Sequence, residues 1–113
     1  MIARLWSAQA TPAHAPAYVD HLKAHVLPAV RKVDGYGGAL LLERETSGMV
    51  EIIVITWWRS LEAIRGFAGG DIEDAVVTDE AAALLTRFDP RVRHYTLAVR
   101  DDAAHEQPRS GAG

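Results

Sequence analysis

The 113-residue chain has room for one hydrophobic core and therefore one domain. Twelve Lys and Arg stand against fifteen Asp and Glu, a net charge of −3, and no basic cluster offsets it locally, so a nucleic-acid partner is not expected. The chain has no cysteine, which excludes disulfides, thiolate nucleophiles, iron–sulfur clusters and Cys-ligated zinc. Met1-Ile2-Ala3-Arg4-Leu5-Trp6 lacks the basic and apolar regions of a signal peptide. The longest apolar run, around Val50 to Trp58, is too short to span a bilayer. The expectation is a cytoplasmic protein with no membrane partner.

Residues 2–10 alternate loosely among β-compatible types and predict a first strand, ended by Thr11-Pro12. From about Pro16 to Val33, apolar residues recur at three- and four-residue spacing: Tyr18, Leu22, Val26, Ala29, Val30 and Val33. At 100° per residue they occupy roughly a third of a helix circumference, the stripe of a half-buried helix. Pro28 lies inside this pattern and should kink the helix or weaken one turn. Gly35 is placed to be the left-handed residue that ends it.

Tyr36 to Glu45 predicts a second strand, and Thr46-Ser47-Gly48-Met49 a tight connection to a third, Val50 to Trp58, so that the two form a hairpin. Ser60 should cap a helix running through Leu61, Ala63, Ile64 and Phe67, broken by Gly69-Gly70. Asp71 is expected to cap a short helical turn through Ala75, and Asp79 another through Leu84, Leu85 and Phe88. Asp89-Pro90 is a breaker, and Val92 to Arg100 alternates as a fourth strand. Residues 1–101 thus form the domain, and residues 102–113 are expected to be a frayed tail.

The order βαββαβ is the ferredoxin-like arrangement, an α+β fold with a four-stranded antiparallel sheet and helices on one face. Strand three carries Val50, Ile52, Val54 and Trp58 on one parity, but also Ile53, Ile55 and Trp57 on the other. Leu40, Leu41 and Leu42 are likewise apolar on both parities. Helices cover one face, so the second apolar face needs a partner. A two-fold homodimer packing sheet against sheet supplies one, because a single patch then complements itself.

Several side chains are candidates for chemistry. Trp57-Trp58 point to opposite faces, and Trp58 is either a core anchor or a pocket wall that stacks on a flat substrate. His94, in strand four, is the best-placed proton-transfer group by ordinary pKa, set against a structural role. Arg4 shares a parity with Trp6 and either binds an anion or pairs with a neighbouring carboxylate. His14, His21 and His25 lie along one edge of the helical stripe. Without an HExxH pattern or an acidic partner on that edge they are expected to be a solvated rim, with no metal. Gly69-Gly70 is either a hinge for a lid or a simple helix break.

With this order of elements, Pro28…Asp34-Gly35-Tyr36, Trp58-x-Ser60, Phe67-Ala68-Gly69 and Asp89-Pro90…His94-Tyr95, the chain resembles the antibiotic biosynthesis monooxygenase family over residues 1 to about 100. The resemblance implies a dimeric α/β barrel. It also implies either a cofactor-independent oxygenase of aromatic substrates or a haem-degrading monooxygenase. The haem-degrading branch uses an Asn on strand one, a Trp after strand three and a His on the following helix. Trp58 matches that Trp, but Val77 stands near the His position and strand one holds no Asn. The cofactor-independent branch is the better match, with no cofactor and with molecular oxygen and a small phenol or hydroquinone as partners. On that reading His94 and Trp58 are the catalytic residues, and Arg4, Trp6, Tyr36 and Phe67 bind the substrate. The alternatives are a non-catalytic small-molecule sensor, an isomerase, decarboxylase or cyclase of the same barrel type, and a haem degrader with a non-standard site.

Overall fold

The structure, a computed structural model, describes residues 1–103. Most of the expected tail therefore lies outside the described residues. Strand β1 (Ile2–Ala10) is followed by helix α1 (Ala15–His21), a π-helical turn (Leu22–Val26) and a last turn, α2 (Leu27–Val30). Next come β2 (Tyr36–Thr46), β3 (Met49–Trp58), α3 (Leu61–Ala68), α4 (Asp79–Leu84), β4 (Arg87–Phe88) and β5 (Arg93–Thr96). One antiparallel sheet runs β2-β3-β1-β4, and β5 also pairs with β1. This is the ferredoxin-like order, in an α+β domain.

Alternation fixes which face is which. Arg4, Trp6, Ala8 and Ala10 of β1 are buried beneath the helices, and their odd-numbered neighbours are less so. In β3, opposite them, Val50, Ile52 and Trp58 are buried on the same side. The β2–β3 hairpin turns at Ser47 and Gly48, both at positive φ (52° and 75°), as a two-residue turn matched to the strand twist requires. Gly35 ends the helical segment at φ 93°, and a Cβ there would come within 2.5 Å of the Ala63 side chain. That position therefore demands glycine both for conformation and for the close approach of α3.

The fourth strand differs from expectation. Its place on the edge of β1 is taken by two short pieces. β4 pairs with Ala8 and Gln9, and β5 pairs with Ile2 to Leu5, so the sheet has five strands where four were expected. Asp89-Pro90 falls between them, and Pro90 has no N–H to give a ladder. As a result Phe88 lies in β4 instead of a helix, and the strand expected over Val92 to Arg100 is limited to Arg93–Thr96. The helical turn expected from Asp71 through Ala75 is reduced to one turn, in which Asp71 Oδ1 accepts the Glu73 N–H at 3.0 Å and the Asp71 carbonyl accepts the Asp74 N–H at 3.2 Å. Glu73, Asp74 and Ala75 then bond across to residues 90–92, with a bridge between Asp74 and Arg91. Thr78, one residue before the expected cap, accepts the Ala81 N–H at 3.1 Å and starts α4.

Pro28 does not break the helix. The Leu27 N–H reaches back five residues to the Leu22 carbonyl, and the widened turn takes up the mismatch just before the proline ring. Helices on one side of the sheet cover two separate cores. One is built around Trp6, Tyr18, Val50 and Ile52, and the other around Val30, Trp58 and Ile64. Among the described residues no helix is long and apolar enough to cross a membrane.

Candidate functional site

A cavity of about 180 Å3 lies between the two cores, under the helices and above the sheet. Its floor comes from β1 and β3, through Arg4, Trp6, Val54 and Thr56. The first helical segment contributes Tyr18, His21, His25, Val26 and Val30. Phe67 of α3 and the segment Val76–Thr78 leading into α4 close the remaining sides. The lining is predominantly apolar, with a few polar groups at fixed points, the usual character of a small-molecule site.

Arg4 is the most consequential of these. It is 5 % exposed, a cation in the floor of an apolar cavity. Nη1 donates to the Ile72 carbonyl and Nη2 to the Asp74 carbonyl at 2.7 Å, while Nη1 also lies 3.1 Å from His94 Nε2. The guanidinium thereby ties the 69–78 segment to the sheet, with no carboxylate partner among the described residues. Burial lowers its pKa to about 10, which still leaves it charged at neutral pH. A buried cation held only by carbonyls and a neutral imidazole is electrostatically suited to an anion. Its face also lies over the Phe67 ring, 5.6 Å from the centroid.

Of the residues the sequence singled out, the structure brings Arg4, Trp6 and Phe67 together around this cavity. Trp6 is 9 % exposed, and its indole N–H is spent on the Asp89 carbonyl at 2.8 Å, leaving only its face for the cavity. Trp58 is placed differently. It is fully buried behind Phe67, with the rings stacked at 5.6 Å, and its N–H goes to Thr56 Oγ1 at 2.9 Å. Tyr36 packs edge-on against Trp58 at 5.3 Å, one layer further out. Both rings therefore support the wall without forming its surface. His94 stands beside Arg4, directly opposite it in the β1–β5 register, and is not among the lining residues. Its pKa is lowered by burial first and by the Arg4 charge second, with Glu73 opposing.

Sequence reasoning missed the histidines. His14 and His25 are exposed as expected, but His21 is part-buried, and His21 and His25 both line the cavity, with rings 5.2 Å apart. The signal was present. On a helical wheel His25 falls about 20° from Tyr18, inside the apolar stripe. Tyr18, also missed, is 4 % exposed, and burial pushes its hydroxyl up to about 12. No group of three or more potential metal-ligating side chains lies together among the described residues. Val77, which counting places near the His position of the haem-degrading branch, contributes an apolar side chain to the lining.

The segment above the cavity is also held from outside. Arg91 reaches Asp71, Glu73 and Asp74, each at 2.8 Å, and these contacts raise its own pKa while lowering that of Asp71. The acidic group after Gly69-Gly70 thus fastens the segment to the β4–β5 connection.

No family model matches the chain. It is 30% identical over 106 residues to the uncharacterized protein Rv2558 of Mycobacterium tuberculosis H37Rv, and equally to MT2635 of strain CDC 1551. These matches cover 92% of the chain but only 42% of the relatives' length. Among solved structures, a Bacillus cereus protein assigned as a candidate antibiotic biosynthesis monooxygenase superposes with a TM-score of 0.64 at 15% identity, covering 90% of this chain and 97% of that one. The M. tuberculosis haem degrader MhuD, with two haems in its active site, gives 0.57 at 23% identity, covering 90% and 100%. A Streptomyces coelicolor monooxygenase from the ActVA-Orf6 gene, bound to nanaomycin D, gives 0.57 at 13% identity, covering 93% and 92%. The chain therefore has the ferredoxin-like fold of the antibiotic biosynthesis monooxygenases, the family whose motifs its sequence resembles.

Proposed function

We propose that the chain is a cytoplasmic, homodimeric monooxygenase of this family that oxidises a small phenol or hydroquinone in the cavity, with no metal or organic cofactor. The observation that carries this reading is the buried Arg4 guanidinium in the floor of an otherwise apolar cavity. Such a site holds a flat ring by its faces and favours the ring's phenolate over the neutral phenol. Trp6 and Phe67 bound the ring, and Arg4 supports the negative charge. Electron density pushed from the phenolate oxygen to an ortho or para carbon that bears hydrogen lets that carbon form a C–O bond to O2. Loss of that hydrogen and cleavage of the O–O bond then give a quinone and water. The sum is phenol plus O2 giving quinone plus water, or hydroquinone plus O2 giving hydroxyquinone plus water, and the substrate supplies all the electrons.

The second sheet face supports the homodimer. Leu40, Leu42 and Tyr95 are about half exposed there, flanking Ile53, Ile55 and Trp57. A second copy of the same face buries them without any other partner.

The test is oxygen uptake against a panel of naphthols and hydroquinones, with the quinone followed by absorbance. The reading requires one O2 consumed per quinone formed, at a rate that falls at least about tenfold in an Arg4→Gln protein that remains folded. No enzyme-dependent uptake with any member of the panel would overturn it. A Soret shift on haem titration, followed by haem loss under reductant, would favour the haem-degrading alternative.

A further inference from the structure

His21 and His25 are not used by the reading above. His21 Nε2 is buried and has no hydrogen-bond partner among the described residues. Leaving a buried ring nitrogen unpaired is costly, so a fold that retains one in a cavity wall needs a reason for it. The π-helical turn that begins at Leu22 supplies part of that reason. It widens the helix immediately after His21, at the point where the ring meets the cavity. His25 stands next to it, ring centroids 5.2 Å apart, and is itself exposed to solvent. The two rings thus run from the interior of the cavity to its mouth. The other walls near them are apolar or carry the Tyr18 and Thr78 hydroxyls, and Arg4 lies in the floor. No carboxylate is among the lining residues.

We propose that His21 is the residue that recognises and deprotonates the hydroxyl of a bound phenol, with His25 its outlet to solvent. A turn of the His21 ring brings Nε2, which its neighbours now close off, to the cavity, where the phenol O–H donates to it and the proton passes to that nitrogen. The O–H bonding pair stays on oxygen, giving a phenolate and a protonated His21. His25 then takes the charge towards solvent, while Arg4 supports the phenolate. Nothing is oxidised or reduced in this step. The role rests on the cavity being a phenol site, as proposed above, but it requires no oxygen and is tested without turnover. It assigns the proton to the helix wall, since His94 stands beside Arg4 in the sheet and is not among the lining residues.

The probes are 4-nitrophenol and its methyl ether 4-nitroanisole, which has the same ring and no proton to give. Binding is measured by equilibrium dialysis under nitrogen, and ionisation of the bound phenol by its phenolate absorption at a pH below its own pKa. The wild-type protein is expected to bind the phenol about tenfold more tightly than the ether and to show the phenolate band. His21→Phe should abolish both effects while changing affinity for the ether by less than about threefold. His21→Gln, which restores an acceptor but no base, should recover part of the discrimination and none of the band. His25→Ala should keep the discrimination.

A His21→Phe protein that still discriminates and still ionises the phenol overturns the assignment. So does a wild type that binds the two probes equally or binds neither. Oxygen uptake with the hydroquinone panel is scored separately. Uptake that survives His21→Phe sinks this inference and leaves the monooxygenase reading standing. A phenolate band without uptake does the reverse.

Discussion

Arg4 and His94 face each other across the β1–β5 ladder, with Arg4 Nη1 3.1 Å from His94 Nε2. Since a guanidinium can only donate, His94 must present a lone pair at Nε2 and carry its proton on Nδ1. The contact is therefore compatible with the neutral imidazole alone. A second proton on His94 would remove the acceptor and set a cation beside a buried cation.

The first prediction concerns that imidazole. Burial and the Arg4 charge hold the His94 pKa below its ordinary value of 6.5. In the window between the folded pKa and the ordinary value, the unfolded chain binds more protons than the folded one. His94 therefore contributes stability above pH 6.5 that is lost as pH falls through the folded pKa. Proton NMR of the ring should give a midpoint below 6.5 that moves up in an Arg4→Met protein. A wild-type midpoint at or above the ordinary value would remove the contact from the account.

The second concerns what Arg4 holds in place. Arg4→Met keeps most of the side-chain volume but leaves the Ile72 and Asp74 carbonyls without the donor that joins them to the sheet. Two hydrogen bonds from a buried cation are lost, partly offset by relief of its own desolvation. The expected loss of stability is about 2–4 kcal/mol by urea unfolding. Proteolysis should be accelerated selectively between residues 69 and 78, because the covering segment is freed while the sheet remains. Uniform cutting along the chain would contradict this.

Trp58 offers a separate test of depth. Because it is fully buried behind Phe67, Trp58→Ala should remove about 3–5 kcal/mol and lower Tm by at least about 12 °C. Trp58→Phe keeps a ring against Phe67 and forfeits the N–H to Thr56, so it should cost about 1–2 kcal/mol. In that milder variant the affinity for 4-nitroanisole should change by less than about threefold, since Trp58 does not line the cavity. A large loss of binding with little loss of stability would place Trp58 at the surface of the site after all.

These placements show which features a sequence reveals. The period of two in β1 survives because one face of the strand is buried, and it put Arg4 and Trp6 on one face together. Parity gives a face and says nothing about depth. Trp58 and Phe67 both lie on the helix side, but only their packing puts Phe67 at the cavity and Trp58 behind it. The split of the fourth strand at Asp89-Pro90 was hidden because either piece alone is too short to carry a periodic signal. His21 and His25 lie along the edge of the apolar stripe, and an edge position alone does not say that His21 is part-buried in the cavity wall while His25 stays exposed. Pro28 announced an irregular helix but not that the irregularity would be a π turn beside the cavity.

The last prediction tests the outer sheet face. Trp57 packs so closely over Gly37 that a Cβ there would meet its ring at 2.6 Å, which fixes the indole flat against β2. Leu40 and Leu42 project beside Ile55 and Ile53 in the β2–β3 register and remain 51% and 46% exposed. Since they have little packing within the chain to lose, Leu40→Glu should leave the single domain folded, with Tm within a few degrees of wild type. In a two-fold dimer, by contrast, the same change sets two carboxylates into a shared apolar interface, where each is desolvated without a partner. A standard interface of about 800 Å2 per partner does not survive that burden at micromolar protein. Sedimentation equilibrium should therefore show wild type as a dimer and Leu40→Glu as a monomer. Compensation is the sharper control. Mixing Leu40→Glu with Leu40→Lys protein should restore a dimer through opposite charges, provided the two-fold axis passes close to this residue. A wild type that sediments as a monomer across the same concentrations would leave the apolar face without an occupant and refute the sheet-to-sheet arrangement.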